Sequence, residues 1–129
     1  MAASEAALQV ELVAADRTVW SGVASLVIAR TVEGDVGVLK DHAPLLSLLA
    51  PAVIEIQAEE EQVVAAVDGG FLSVAGNRVS ILSEHAVLGG DIDVDAARSA
   101  LEEAKAAEGD DAAAHVARFE AQIRAAERV

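Results

Sequence analysis

Alternating apolar and polar positions dominate the first ninety residues of the chain. Leu8, Val10 and Leu12 alternate with polar residues, and the same period of two returns around Ile54. This alternation is typical of strands that bury one face. Turn-forming residues separate the runs at intervals of about 8 to 12 residues, as in all-β domains. The pattern predicts an N-terminal antiparallel β-sandwich or flattened barrel over residues 1–90.

Individual strands and turns follow from the same pattern. Ser25–Thr31 is rich in β-branched and apolar residues and predicts a central strand. Another strand is expected after Pro51, and Glu59–Glu61 then forms a hairpin tip. Asp68–Gly70 predicts a turn, and Gly76–Asn77 is a two-residue hairpin signal. The whole β half is therefore expected to consist of short strands joined by tight turns.

Beyond Gly90 the spacing of apolar residues changes from strand-like to helical. Residues 91–107 are rich in Ala and Glu, and Asp110 or Asp111 can cap a second helix that runs almost to the end of the chain. Because the break between the two helices is short, they are expected to be antiparallel. The chain is thus predicted to end in a two-helix hairpin, residues 91–129, with a regulatory role.

Each predicted helix gathers its small and apolar side chains on one arc of the helical wheel. The arcs comprise Val94, Ala97, Ala100, Leu101 and Ala104 in the first helix, and Val116, Phe119, Ile123 and Ala126 in the second. An alanine methyl buries little surface, and burial contributes only about 25 cal/mol per Å². The hairpin is therefore expected to dock weakly and to be able to leave the β domain.

Charge and composition narrow the range of partners. The 129 residues include 22 acidic and 9 basic residues, for a net charge of −13. Such a chain is repelled by nucleic acid and by anionic bilayers, so a partner with basic patches is expected. The chain has no cysteine, which excludes disulfides and thiolate metal sites. It contains no apolar run of ~20 residues and begins without a signal-like segment, which predicts a cytoplasmic protein.

Candidate acid–base groups are few. Asp35, Asp41 and His42 form the nearest approach to a cluster, but no histidine has the spacing of a metal ligand. Gly34–Lys40 lacks the GxxxxGK[ST] arrangement that cradles phosphate, so its glycines are interpreted as turn formers. One alternative function remains open here, a free-standing β-sandwich enzyme that uses Asp41, His42 or Asp68.

Four motifs in a fixed order resemble the epsilon subunit of bacterial F-type rotary ATP synthases. They are EGDVGVLKDHAPLL at Glu33–Leu46, then AVIEIQ, DGGFLSV and VSIL, and the resemblance extends from about Leu8 to Val94. It implies a non-catalytic subunit of the central stalk that couples the gamma subunit to the c-ring. It also implies a peripheral location at the cytoplasmic face of the membrane, without insertion into lipid and without a required cofactor.

The same resemblance assigns roles to the turn region of the β half. It implies that the Glu33–Leu46 segment contacts the polar loops of the c-ring, while the neighbouring sheet face contacts the gamma subunit. The candidate interface residues are Glu33, Asp35, Asp41 and His42. No catalytic residue is implied.

The helical half could bind ATP as a regulator. Bacterial relatives have an Ile/Leu-Asp-x-x-Arg-Ala stretch at the first helix, and Ile92–Ala97 aligns with it but has Ala96 in place of Arg. A shift of two residues restores Arg98 and changes the final Ala to Ser99. The candidate nucleotide-binding residues are Asp95, Arg98, Arg124 and Arg128.

Inhibition of ATP hydrolysis is the second role that the resemblance implies for the helices. The hairpin of relatives opens and its basic residues contact an acidic segment of the beta subunit. Arg118, Arg124 and Arg128 fall within an arc of about 120° on the second helix. They are the candidate inhibitory contacts, although three arginines on a helix also suit an ordinary solvated face.

Overall fold

The computed structural model describes residues 7–59 and 61–128. These residues form seven strands, then a short 3₁₀ turn at Gly89–Asp91, then two helices. The strands are β1 (Leu8–Val13), β2 (Thr18–Thr31), β3 (Gly34–Leu39), β4 (Leu45–Ala58), β5 (Gln62–Ala75), β6 (Arg78–Leu82) and β7 (Ala86–Leu88). The helices are α1 (Val94–Ala106) and α2 (Ala112–Glu127). The predicted β-sandwich or flattened barrel followed by two helices is confirmed.

The strands form one sheet that closes on itself. Its order is β1-β6-β5-β4-β2-β3, and an additional β1–β2 pairing completes the closure. β3 lies at the edge beside β2, and β7 pairs with β5. The pairings are antiparallel except for β1 with β6, which is parallel. Closure covers the strand edges that would otherwise invite further pairing and leaves β3 outermost.

The interior of the barrel is built from aliphatic side chains, as the alternation predicts. Leu8, Val10 and Leu12 of β1 are buried while the residues between them are exposed. The largest fully buried side chains are Leu8, Leu12, Ile54, Ile56, Leu72 and Ile81. Phe71 is not among them, because its side chain points outward and is 50% exposed.

Three strands are longer than the sequence predicts, and the first of them, β2, begins at Thr18 and not at Ser25. β4 continues through Pro51, where its pairing with β2 is interrupted between the pairs Ile28–Glu55 and Thr31–Leu49. Proline has no N–H to donate, so it is tolerated where the ladder is already broken. The strand was expected to begin only after Pro51, and that boundary is wrong.

β5 also continues where a turn was expected. Asp68–Gly70 lies inside the strand, and Gly69 and Gly70 have φ angles of 77° and 112°. At this point β5 exchanges its neighbour β7 for β6. The glycines therefore allow a kink and a close approach, and the predicted chain reversal does not occur.

The Glu33–Leu46 segment consists of a turn, the strand β3, a second turn and the first two residues of β4. Gly34 (φ 130°) begins β3, and Asp41 (φ 66°) lies in the turn that follows it. Gly37 does not form a turn, because it pairs with Ile28 in the middle of β3. Gly76 and Asn77 have φ angles of 56° and 63° and form the predicted two-residue hairpin.

One of the two helices begins at a residue whose side chain caps it. α1 starts at Val94, three residues later than expected, because the Asp93 side chain accepts a hydrogen bond from the Ala96 N–H at 3.1 Å. Asp111 occupies the N-cap position of α2 without such a bond. The tip Glu59–Glu61 joins β4 to β5, with the Ala58 N–H bonded to the Glu61 carbonyl, but Glu60 lies outside the described residues.

α2 rests on the outside of the sheet, and α1 packs against α2. Ala121 and Ala125 of α2 are fully buried against Val64 and Ala66 of β5, with Val53 and Ile92 beside them. The predicted stripe of Val116, Phe119, Ile123 and Ala126 is only partly buried. In the part of the chain that the structure describes, neither helix is long and apolar enough to cross a membrane.

Candidate functional site

A row of apolar side chains crosses the outside of the sheet on four adjacent strands. The pairings Val13–Leu82, Leu82–Phe71 and Phe71–Leu48 place these four residues side by side. We call them the outer row. Phe71, Leu82 and Leu48 are each about half exposed, and Leu46, two residues along β4, is 74% exposed. Large apolar side chains grouped in this way on a surface mark an interaction site.

The outer-row side chains face outward because successive residues of a strand point to opposite faces, and their chain neighbours point into the core. Leu12, Leu72 and Ile81, the chain neighbours of three outer-row residues, are fully buried in the core. Sequence analysis did not identify Phe71 as an outward residue. The signal was ambiguous, since Phe71 and Leu72 are adjacent and either one could have faced the core.

Glu33 and Asp35 lie at the first end of β3. The Glu33 N–H donates to Thr31 Oγ1 at 3.1 Å, and the Thr31 hydroxyl donates to the Gly34 carbonyl at 2.8 Å, which fixes the turn. Asp35 Oδ1 accepts a hydrogen bond from Arg30 Nε at 2.9 Å. This hydrogen bond, followed by the charge of Arg30, lowers the pKa of the exposed Asp35 carboxyl below 3.8.

Asp41 and His42 lie at the second end of β3. The Asp41 N–H donates to Asn77 Oδ1 at 2.6 Å, and Asn77 Nδ2 donates to Asp41 Oδ1 at 3.2 Å. These two bonds join the turn after β3 to the hairpin between β5 and β6. His42 Nδ1 lies 2.7 Å from the Ala43 carbonyl oxygen. The loops at this end are therefore held to each other by side chains.

The four predicted interface residues thus form two pairs and not one cluster. Asp35 and Asp41 are six residue steps apart along the extended chain, a distance of roughly 20 Å at about 3.3 Å per residue. Both pairs border the edge strand β3, whose outer side has no strand partner among the described residues. The arrangement suits a contact along the length of an edge more than a contact at a point.

Arg124 and Arg128 line a cavity of about 400 Å³ between α2 and the sheet. Arg30, Asp35 and Glu55 contribute to the same cavity. Arg128 Nη1 lies 3.2 Å from Glu55 Oε2, so this ion pair joins the end of α2 to β4. The cavity therefore combines three cations and two carboxylates.

The other residues of the predicted nucleotide and inhibitory sets lie elsewhere. Asp95 and Arg98 are exposed on α1 and do not line the cavity that holds Arg124 and Arg128. Arg118 stacks over the Phe119 ring, with its Cζ 5.1 Å from the centroid. Its Nε is buried and has no hydrogen-bond partner within the described chain. The three arginines therefore do not share one free face, because Arg124 and Arg128 line the cavity while Arg118 stacks on Phe119.

The acid–base groups do not converge on a nucleophile. Asp68 Oδ2 lies 3.4 Å from His85 Nδ1. Ser83 Oγ accepts from the Asp68 N–H and donates to the His85 carbonyl, so the hydroxyl is occupied by backbone groups and not by the imidazole. Across residues 7–59 and 61–128, no three His, Asp or Glu side chains are placed to hold a metal ion. Asp41 and His42 bond to other partners.

Comparisons with known proteins give a consistent result. Residues 7–89 match the family model described as ATP synthase, Delta/Epsilon chain, beta-sandwich domain. An ATP synthase epsilon chain of Streptomyces avermitilis is 55% identical over 106 residues, which are 81% of this chain and 85% of the relative. That of Rhodococcus jostii is 50% identical over 125 residues, which are 95% and 98% of the two chains.

Solved structures agree in fold. A chain in the cryo-EM structure of the Euglena gracilis mitochondrial ATP synthase, which includes OSCP, F1 and c-ring, matches with a TM-score of 0.80 and 28% identity. The match covers 95% of this chain and 82% of the Euglena chain. A chain from the central stalk and c-ring of the Tetrahymena thermophila enzyme matches with a TM-score of 0.61 over 94% of both chains. At 17% identity, the Tetrahymena match shows the fold alone.

Proposed function

The chain belongs to the family of ATP synthase delta and epsilon chains, and from this premise we propose that it is the central-stalk subunit that couples gamma to the c-ring. In this role it supplies binding surfaces, while the catalytic sites lie on other subunits. It would work at the cytoplasmic face of the membrane as a peripheral part of the complex and would not enter the lipid.

The outer row is the observation that carries this proposal. Part of the outside of the β4–β5 pair is covered by α2, which packs on Val64 and Ala66. Another part presents Leu48 and Phe71 to solvent. An apolar face of this kind gains free energy when a partner covers it, at about 25 cal/mol per Å². We assign the gamma subunit to this face.

β3 is proposed to lie along the c-ring. Asp35 and His42 stand at its two ends, with Glu33 and Asp41 beside them. Two contact points at the ends of one rigid strand resist rotation better than a single point does, because a force on either end acts with a lever arm. Charged contacts at the rim of such an interface set its fit more than its affinity.

The test of the stalk assignment is binding to a purified gamma subunit. The double substitution Leu48→Ser with Phe71→Ser should weaken binding by about 2 kcal/mol, or roughly thirtyfold, because it removes two central apolar contacts. Leu39→Ser is the matched control, since Leu39 is 59% exposed but lies at the end of β3. If the unmodified chain does not bind gamma, the stalk assignment is wrong.

Inhibition of ATP hydrolysis by the hairpin is a finer part of the proposal. The seam of α2 on the sheet is built on Ala121 and Ala125, whose methyl groups bury little apolar area. Burial of so little area holds the hairpin weakly and favours its release. Once released, Arg118, Arg124 and Arg128 could contact acidic residues of the beta subunit.

Hydrolysis rates test this part separately. An enzyme reconstituted with the full chain should hydrolyse ATP more slowly than one reconstituted with a chain that ends at Gly90. The substitution Arg118→Gln in the full chain should recover part of the difference, because it removes one cation from the released helix. Equal rates for the full and shortened chains would remove inhibition but leave the stalk assignment intact.

A regulatory ATP site stays a prediction. Arg124 and Arg128 share a cavity with Arg30, which provides the fixed cations that phosphate groups require. Asp95 and Arg98 would have to reach this cavity by a movement of α1. Calorimetry of the isolated chain with magnesium-free ATP tests the site, and the absence of heat at millimolar ATP would remove it.

A further inference from the structure

A cleft of about 370 Å³ overlaps the outer row. Val13, Phe71 and Leu82 belong to both features, and the loop residues Ala14 and Ala15 also line the cleft. The lining is therefore mostly apolar and continues the apolar surface of the row. A concave apolar space of this size takes side chains of a partner more readily than a flat surface does.

The shape of the cleft is fixed by backbone contacts. The Ser83 N–H donates to the Val13 carbonyl at 3.0 Å and joins the ends of β6 and β1. Gly70 also lines the cleft, and its backbone passes so close to Leu82 that no side chain would fit. A site that is already formed before binding avoids the entropy cost of ordering its residues.

The rim of the cleft is acidic. Asp68 and Glu84 line it, and no lysine or arginine does. The Asp68 backbone N–H is bonded to both Ser83 Oγ and the His85 carbonyl, which holds the backbone at this point, and the Asp68 carboxylate lies 3.4 Å from His85 Nδ1. Glu84 is exposed and forms no ion pair with any described residue. A cation from a partner is therefore the charge that fits this rim.

We propose that the cleft receives one large apolar side chain of the gamma subunit that is adjacent in gamma to a lysine or arginine. The apolar side chain fills the space between Ala15 and Phe71, and the neighbouring cation meets Glu84 and Asp68. The cleft is thus the anchor of the interface, and the outer row surrounds it and excludes water. This inference rests on the proposed function, because it names how the gamma-binding face makes its central contact.

Binding of the full chain to purified gamma at 0.1 M and 1 M NaCl tests the proposal. Ala15→Trp fills the cleft from an exposed position, and Ala113→Trp on the exposed side of α2 is its control. Ala15→Trp should raise Kd at least about tenfold at both salt concentrations, while the control should stay within about twofold. Thermal unfolding and circular dichroism of each variant confirm that the fold is kept.

The acidic rim is tested with charge reversals. Glu84→Lys should raise Kd about tenfold at 0.1 M NaCl and much less at 1 M, because the Debye length falls from about 10 Å to about 3 Å. Glu59→Lys makes the same change in net charge at the far hairpin tip and should have a smaller effect. If Glu84→Lys and Glu59→Lys behave alike, the basic neighbour in gamma is refuted.

The outcomes separate the two proposals. If the unmodified chain binds gamma and the outer-row double variant does not, but Ala15→Trp binds normally, the anchor is refuted and the stalk assignment stands. If the unmodified chain does not bind gamma, both proposals are refuted. Loss of binding in Ala15→Trp, with retained binding in Ala113→Trp and a salt-dependent loss in Glu84→Lys, supports the anchor.

Discussion

Gly70 is the glycine at which an added side chain would meet the closest contact. A Cβ built on Gly70 would lie 1.9 Å from the Leu82 carbonyl oxygen, and the φ angle of 112° is unfavourable for any side chain. Gly70→Ala should therefore lower the free energy of unfolding by about 3 kcal/mol or more, as measured by urea denaturation.

Gly76 provides the matched control for that substitution. Its φ of 56° is also positive, but no atom lies within 4 Å of an added Cβ. Gly76→Ala should cost only about 1 kcal/mol, which is the conformational penalty alone. Similar losses for the two variants would mean that the contact with Leu82 does not determine the requirement for glycine at position 70.

The pKa of Asp35 gives a second test at the residue scale. The hydrogen bond and charge of Arg30 lower this pKa below 3.8, so the ionised carboxylate is favoured in the folded chain. Its contribution to stability is present above the unfolded pKa and is lost as the pH falls through the lower folded pKa. An NMR titration should show a pKa below 3.8 that rises in Arg30→Gln. An unchanged pKa would show that the ion pair is absent in solution.

Residue patterns predicted the inward positions of β1 and of β4 around Ile54, but not the change of inward face within β4 and β5. Val63, Ala65 and Val67 face the core before Gly69–Gly70, whereas Leu72 and Val74 face it afterwards, so the alternation shifts by one residue. β4 makes the same shift between Leu49 and Ile54. A kink that two paired strands share depends on backbone angles at Pro51 and the glycines. Apolar periodicity carries no record of such angles, which is why the outward position of Phe71 was missed.

At the scale of elements, the two helices show which of their buried faces the sequence predicts. The wheel identified the apolar arc of α1 correctly, because Ala97 and Ala104 are its buried residues. For α2 the wheel placed Phe119 on the face expected to dock. Phe119 instead lines a cleft beside Ala97 and Ala100 and so faces α1. The side of α2 that touches the sheet consists of Ala121 and Ala125. Small residues allow close approach but give a weak hydrophobic signal, so this contact could not be predicted.

The contact of Ala121 and Ala125 with the sheet, which we call the alanine seam, predicts how the hairpin can be released. Ala125 is fully buried against β5, so Ala125→Leu should overpack the seam and cost about 1–3 kcal/mol of docking free energy. Hydrogen exchange should then become faster in α1 and α2 while the β-strands stay protected. Ala113→Leu, on an exposed position of the same helix, should change neither. Unchanged exchange in Ala125→Leu would mean that the seam does not limit opening.

At the scale of the whole molecule, the change of pattern at Gly90 predicts two units of different stability. The main core comprises side chains of the β half alone, whereas the contact with α2 adds only a second, small cluster. The structure also shows one contact between the two units that residue spacing could not indicate. It is the ion pair between Arg128 and Glu55, which are 73 residues apart in the chain. Both partners are partly exposed, so this pair contributes little stability in solution and is easily broken.

A chain that ends at Gly90 should therefore fold on its own and keep its binding face. The truncation removes the cover of Val64 and Ala66 and exposes a small apolar area, so the melting temperature should fall by several degrees, about 4–8 °C per kcal/mol for a domain of this size. Because the outer row and its adjoining cleft lie entirely before Gly90, affinity for gamma should stay within about twofold of the full chain. A cooperative thermal transition together with gamma binding would establish the β unit as the coupling part. An unfolded or non-binding truncated chain would instead show that the hairpin supports the docking face.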